Sequence, residues 1–355
     1  MKRGVLIPIL LIPVLAIGAA DLKPAAIFSD HMVLQRDKSV PVWGWAEPGE
    51  EITVEFAGQK KTAKADSDGK WVVRLDPMPA SAEARTMTIR GSIGTRQSAI
   101  EDVLVGEVWL GSGQSNMAMS VGRARDFEAE KAAAGLPLIR MFKEESAAAT
   151  EPQADGKGQW AVCSPETVGG FSATLYFMGR ELHRALNVPV GLINSSVGGT
   201  PIEQWVAEET QDGVAELKAA AAAQAKADAE FDIAKAKAGY DKAVERWKEQ
   251  AAAAKAAGKA IPRRPRDPVA LRERKGGRGG LFNGKIAPLI PYAIRGAVWY
   301  QGEANSHPGK GPLYQYQLPL LVTDWRARWG EAFPFAWVQL PNFGREGEDW
   351  MLVRE

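Results

Sequence analysis

Val103-Leu104-Val105-Gly106-Glu107-Val108-Trp109-Leu110, with Gly113-Gln114-Ser115-Asn116-Met117 close behind, is the stretch on which the fold turns. Its apolar run reads as a buried strand, and the small and polar residues after it read as the turn into a helix. A serine at such a junction can raise its hydroxyl above a sheet edge while backbone N–H groups of the helix start face whatever it attacks. A plain Gly-Ser turn would carry the same letters. The nucleophile elbow of lipases needs glycine two residues before and two after the serine, and Met117 in the second place disfavours that fold.

Two more segments repeat the pattern. Pro189–Ser195 runs as a strand into Ser196-Val197-Gly198-Gly199-Thr200, and Ile294–Tyr300 runs into Gln301-Gly302-Glu303-Ala304-Asn305. In open parallel sheets, ligands bind beyond the carboxyl ends of the strands. Three such ends could bring together a serine hydroxyl, a glycine N–H and an asparagine amide, the parts of a nucleophile with oxyanion donors.

Working outward, strands are expected near Val103–Leu110, Leu138–Phe142, Val190–Asn194, Arg295–Tyr300 and Phe335–Gln339, separated by helical stretches as in a parallel α/β layer. A helix over Ser172–Leu186 is expected to pack through Leu175, Gly179, Leu182 and Leu186, with His183 solvated. Before this layer, short alternating runs such as Ile52–Phe56 and Trp71–Leu75 are separated by Glu47-Pro48-Gly49 and Asp66-Ser67-Asp68-Gly69, the pattern of a small antiparallel β-sandwich. Trp43, Trp45 and Trp71 there read as packing residues, with a sugar-binding face as the alternative. From about Glu208 to Gly258 the chain turns Ala- and Lys-rich, suggesting one long helix or a helical hairpin, and a basic Pro- and Gly-rich loop follows to Gly280.

The 355 residues suit two units, and a net charge of +1 offers no field for nucleic acid or anionic membrane, so neither partner is expected. Lys2-Arg3, the apolar stretch Val5–Ile17 and Gly18-Ala19-Ala20 read as a secretory signal peptide over residues 1–20, cut before Asp21, giving a periplasmic or secreted protein. Cys163 is the single cysteine, which excludes an internal disulfide and suits a buried small hydrophobe. No His/Cys/Asp spacing suggests a metal site and no phosphate loop is present, so a cofactor-free hydrolase fits.

With these residues in view, the chain resembles the sialate O-acetylesterase family of the SGNH hydrolases. The likeness rests on Gly113–Met117, on Ser196-Val197-Gly198-Gly199-Thr200-Pro201-Ile202-Glu203-Gln204-Trp205 and on Trp299-Tyr300-Gln301-Gly302-Glu303-Ala304-Asn305. It extends to Met32–Arg36, Pro41–Trp45, Asp68–Trp71, Leu281–Gly284, Asp324–Arg326 and Pro334–Leu340. The resemblance implies an SGNH-type, flavodoxin-like parallel sheet over 102–355, a β-sandwich over 21–101 and a helical insertion over 207–280. It also implies a serine esterase acting on O-acetylated carbohydrates, with O-acetylated sialic acids expected as substrate. Ser115 would be the nucleophile and Gly199 and Asn305 the oxyanion donors, with Gln114 and Glu303 in support.

The family further implies a late Asp-x-x-His segment. The chain reaches Glu355 without one and is read as C-terminally truncated, with His31, His183 and His307 its only histidines. His307-Pro308 lacks an acid three residues earlier and reads as a loop residue. A polysaccharide acetylesterase of the same mechanism, of xylan type, and a noncatalytic glycan-binding remnant are the competing readings.

Overall fold

The computed structural model describes residues 21–269, 277–343 and 349–354, so the expected signal peptide lies outside the described residues. Among these described residues thirteen strands run in chain order: β1 (Lys23–Pro24), β2 (Val33–Gln35), β3 (Val40–Trp45), β4 (Glu51–Phe56), β5 (Gln59–Lys64), β6 (Lys70–Leu75), β7 (Ser81–Gly91), β8 (Gln97–Gly113), β9 (Leu136–Lys143), β10 (Trp160–Cys163), β11 (Val190–Ser196), β12 (Gly296–Tyr300) and β13 (Phe335–Trp337).

Everything hangs on β8. Its amino-terminal part alternates exposed and covered positions and pairs antiparallel with β7, whereas from Val103 onward nearly every residue is buried. One-sided burial suits an antiparallel limb with a wet face, and two-sided burial suits a parallel sheet covered on both faces. The change falls at Asp102, whose φ of +54° marks an irregularity in the strand. The expected boundary at residues 101/102 thus lies inside one continuous strand that belongs to both parts of a large mixed sheet.

In the amino-terminal part, β1, β3 and β6 form a three-stranded antiparallel sheet, and β4, β5 and β7 continue the large sheet. Trp43 and Trp71 are buried there, consistent with packing roles. The parallel part runs β9-β11-β8-β12-β13, with β10 added antiparallel outside β9. All five expected strands are present, and β10 was not expected. A flavodoxin-like sheet places the second strand beside the first, but here β9 lies outside β11, so the neighbours of β8 are β11 and β12.

Helix Ala173–Leu186 covers one face, capped by Ser172, whose hydroxyl accepts from Leu175 N. It buries Ala173, Leu175, Tyr176 and Gly179; Leu186, expected on this stripe, is 43% exposed. His183 is half-buried against the Val188 carbonyl at 2.8 Å rather than fully solvated. Cys163 is buried, which pushes its thiol up to about 12. On the other face helix Gly311–Trp329 buries Tyr314, Leu321 and Trp325. Trp299 of β12 sits edge-on between Trp205 and Trp325, each at 6.0 Å. Where one long helix or a hairpin was expected over about Glu208 to Gly258, the described residues form the helices Glu208–Asp212, Ala215–Ala229 and Ile233–Ala256.

Candidate functional site

Ser196 of β11 and Tyr300 of β12 both stand opposite Gly113 of β8, so three parallel strands end level. Gln114 N donates to the Tyr300 carbonyl at 3.0 Å and Val197 N to the Gly113 carbonyl at 3.1 Å, which fixes the first residues beyond each end. Only glycine fits at 113: its φ is +133°, and a methyl group there would lie 2.2 Å from the Tyr300 oxygen. The chain then turns into the four-residue helix Ser115–Ala118, with Ser115 exposed. No described side chain is hydrogen-bonded to its hydroxyl. The chain leaves β8 toward β9 and β11 on one side and reaches β12 on the other, so Ser115 stands at the switch point of the sheet.

Gln114 is buried, and its Oε1 accepts from Gln301 Nε2 at 3.2 Å and from Ala304 N at 3.1 Å. This ties the serine turn to the loop after β12. Gln301 is held from below, its Oε1 accepting from the Tyr314 hydroxyl at 3.0 Å, while Trp299 Nε1 donates to that hydroxyl at 3.2 Å. Asn116 Nδ2 donates to Glu303 Oε1 at 2.6 Å. Glu303 Oε2 is buried without a partner, and burial raises this carboxyl above the ordinary carboxylate range. The structure thus places Gln114 and Glu303 in the bonds that join the serine turn to the loop after β12, through contacts the sequence did not specify.

The glycine turn after β11 also reaches the serine. A methyl group on Gly198 would sit 3.7 Å from Ser115 Cβ, so Gly198 is packed against the candidate nucleophile, while Gly199 follows with φ +74°. Asn305 is placed differently from the expectation. It is 1% exposed, its Nδ2 donates to Glu203 Oε2 at 2.9 Å and to Gln317 Oε1 at 3.4 Å, and its Oδ1 accepts from Ile202 N at 2.9 Å and Gln301 Nε2 at 2.7 Å. Both amide hydrogens already have acceptors. In this arrangement the side chain clasps the two loops together and offers no free donor to an oxyanion. Glu203 and Gln301 went unassigned from sequence although both lie in the quoted motifs; a glutamate and an amide next to the turns after β11 and β12 were the available signal.

Among the described residues no imidazole is hydrogen-bonded to Ser115. His307 is exposed on its loop. His31 Nδ1 pairs with Asp102 Oδ2 at 2.7 Å, well back along β8, on the order of 40 Å from Ser115 at the usual strand rise. Beside the three strand ends lies a cleft of about 530 Å³, walled by Glu203, Asn305, Lys310 and Leu313 on one side and by helix Ala215–Ala229 on the other. No group of three His, Cys, Asp or Glu side chains among the described residues is placed to hold a metal ion.

Residues 105–258 match a family model described as a carbohydrate esterase, sialic acid-specific acetylesterase. The chain is similar to the sialate O-acetylesterase of Rattus norvegicus, 31% identical over 351 residues, covering 90% of this chain and 60% of that protein. The corresponding protein of Homo sapiens is 28% identical over 346 residues, covering 90% of this chain and 57% of the relative. Among solved structures, a carbohydrate acetylesterase from Xanthomonas citri superposes with a TM-score of 0.73 at 30% identity, over 94% of this chain and 64% of that one. The chain spans somewhat under two thirds of each of these relatives. The matches take in the motifs at the ends of β8 and β11, and residues 105–258 belong to the sialic acid-specific acetylesterase family of carbohydrate esterases.

Proposed function

We propose that this chain carries the nucleophile and substrate-facing loops of a serine esterase that removes O-acetyl groups from carbohydrates. The observation that carries the reading is the placement of exposed Ser115 at the switch point, with Gly198 packed against it. Ser115 Oγ attacks the acetyl carbonyl and forms an acyl-enzyme, the ester C–O bond breaks, and the sugar leaves as an alcohol carrying a proton; water then releases acetate and restores the serine. The oxyanion meets the Ser115 N–H and an N–H of the Gly198-Gly199 turn. Gln114, Glu303 and Asn305 hold the two loops in register around it. The described residues supply nucleophile and donors, and a base that takes the serine proton completes the reaction.

The SGNH-type fold, the amino-terminal β-sandwich, export after cleavage before Asp21 and action on O-acetylated sialic acids belong to the same proposal. The names of the mammalian relatives support the sialate substrate. The broader name of the bacterial relative, a carbohydrate acetylesterase, is equally compatible with a second substrate reading, a neutral acetylated polysaccharide. Fluorophosphonate labelling with peptide mapping tests the nucleophile: label on Ser115, lost in Ser115→Ala, is expected, and label on another serine defeats the proposal. Acetate release from O-acetylated sialic acid against acetylated xylan separates the substrates, and amino-terminal sequencing of exported protein checks the cleavage.

A further inference from the structure

We infer that the cleft between helix Ala215–Ala229 and the loop after β12 is the subsite for the sugar ring of the substrate. This rests on the esterase reading above and adds to it the place and chemistry of carbohydrate recognition. At about 530 Å³ the cleft falls in the ordinary range for small-molecule sites. It exists because the helix shows it small side chains, Ala220 and Ala223 among them, and Leu217 is the only buried residue of that helix.

The two walls differ in a way that suits a sugar. Ala220 and Ala223 of the helix offer an apolar surface for the C–H face of a ring. Opposite them stand Glu203, which already accepts from Asn305 at 2.9 Å, and Lys310, whose Nζ lies 3.4 Å from Glu203 Oε1. A carboxylate has about four lone-pair sites, so Glu203 keeps acceptor capacity for hydroxyl donors. Arg278 on the same wall is tied to Asp212 at 2.5 Å and has a buried Nε without a partner, an unmet donor at the cleft. Both of these cations are paired with a carboxylate. The cleft is therefore matched to hydroxyl groups, which neutral and acidic sugars share, more than to one net charge. Asn305 lines its floor and also clasps the loop that carries Glu303, so the ring would lie next to the loops around Ser115.

The test uses the whole chain with two de-esterified probes, N-acetylneuraminic acid and methyl β-xyloside, titrated by NMR, together with fluorophosphonate labelling of Ser115. Saturable binding of at least one sugar is expected, weakened roughly tenfold or more both in Ala223→Trp, which fills the cleft from an exposed helix position, and in Glu203→Gln. Thermal melts establish that each variant is folded, and Glu203→Gln decides if the tryptophan variant fails to fold. Undiminished binding in the folded variants overturns the inference, and so does the absence of saturable binding of either sugar. Labelling of Ser115 without sugar binding sinks the subsite and leaves the esterase reading standing. Sugar binding lost in the variants, with no labelling, does the reverse. Which probe binds tells the sialate source from the neutral one.

Discussion

Asn116 Nδ2 donates to Glu303 Oε1 at 2.6 Å, so the residue after the candidate nucleophile is held by the third residue beyond the end of β12. The bond spans two strands that are adjacent in the sheet and far apart in the chain. Its acceptor is a carboxyl that burial makes reluctant to ionise.

Glu303→Ala should slow fluorophosphonate labelling of Ser115, because a misplacement of about 1 Å near a reacting group can cost on the order of 10² in rate. Glu303→Gln keeps an acceptor for Asn116 and should restore much of that loss. The pH dependence has a definite sign. A carboxyl raised in the folded state is protonated in both states below its unfolded value of about 4.3, and its ionised form costs stability as pH rises from there through the folded value. Wild type should therefore lose stability relative to Glu303→Gln between acid and neutral pH, read as the difference in urea midpoints. A difference that is flat with pH would exclude the buried carboxyl as its source.

Asn305→Ala separates a clasp from an oxyanion donor. Removing the side chain leaves the buried Ile202 N short of its acceptor, worth about 1–3 kcal/mol, and takes one donor from the part-buried Glu203 carboxylate. A fall in melting temperature together with weaker labelling is expected. Normal stability with a large loss in kcat alone would return Asn305 to the oxyanion.

Much of this was legible because the strand ends are written locally. Val103–Leu110, Val190–Asn194 and Arg295–Tyr300 are short apolar runs followed by glycine and amides, and the structure finds each as a strand whose far end meets the other two. What was not legible depends on contacts across the sheet. Nothing in Gly302-Glu303-Ala304-Asn305 says that Asn305 turns inward to Glu203 while Glu303 turns to Asn116, since an amide and a carboxyl can each accept a hydrogen bond in either place. The position of β9 outside β11 is likewise a matter of tertiary pairing, and β10 is a four-residue strand whose burial pattern carries no clear alternation.

Gly113→Ala should abolish the site outright. The residue sits at φ +133°, and a methyl group there meets a backbone carbonyl that cannot rotate away without breaking the β8–β12 pairing. Strain and lost pairing together place the cost at about 4 kcal/mol or more, among the exceptional single substitutions. Insoluble protein, or folded protein with no label on Ser115, is expected. A soluble variant with wild-type labelling would show that the turn can be built another way.

Asp102→Asn probes the joint within β8 between its antiparallel and parallel parts. Burial alone would raise the Asp102 carboxyl, but hydrogen bonds from Arg140 and His31 outweigh it and hold the group below the ordinary aspartate value. Arg140 is 5% exposed and donates to both Asp102 oxygens, at 2.5 and 3.0 Å, so the variant leaves a nearly buried guanidinium without its counter-charge. Breaking such a pair costs on the order of 3 kcal/mol. Because the folded value is depressed, this stability is present above the unfolded value of about 3.9 and is lost as pH falls through the folded one. The gap between wild type and Asp102→Asn in urea midpoint should therefore be wide at pH 7 and close on strong acidification. A gap that persists unchanged in acid would assign the loss to packing at the strand irregularity instead of to the ion pair. Labelling of Ser115 at neutral pH should hardly change while the variant remains folded, since the joint lies on the order of 40 Å back along the strand from the serine.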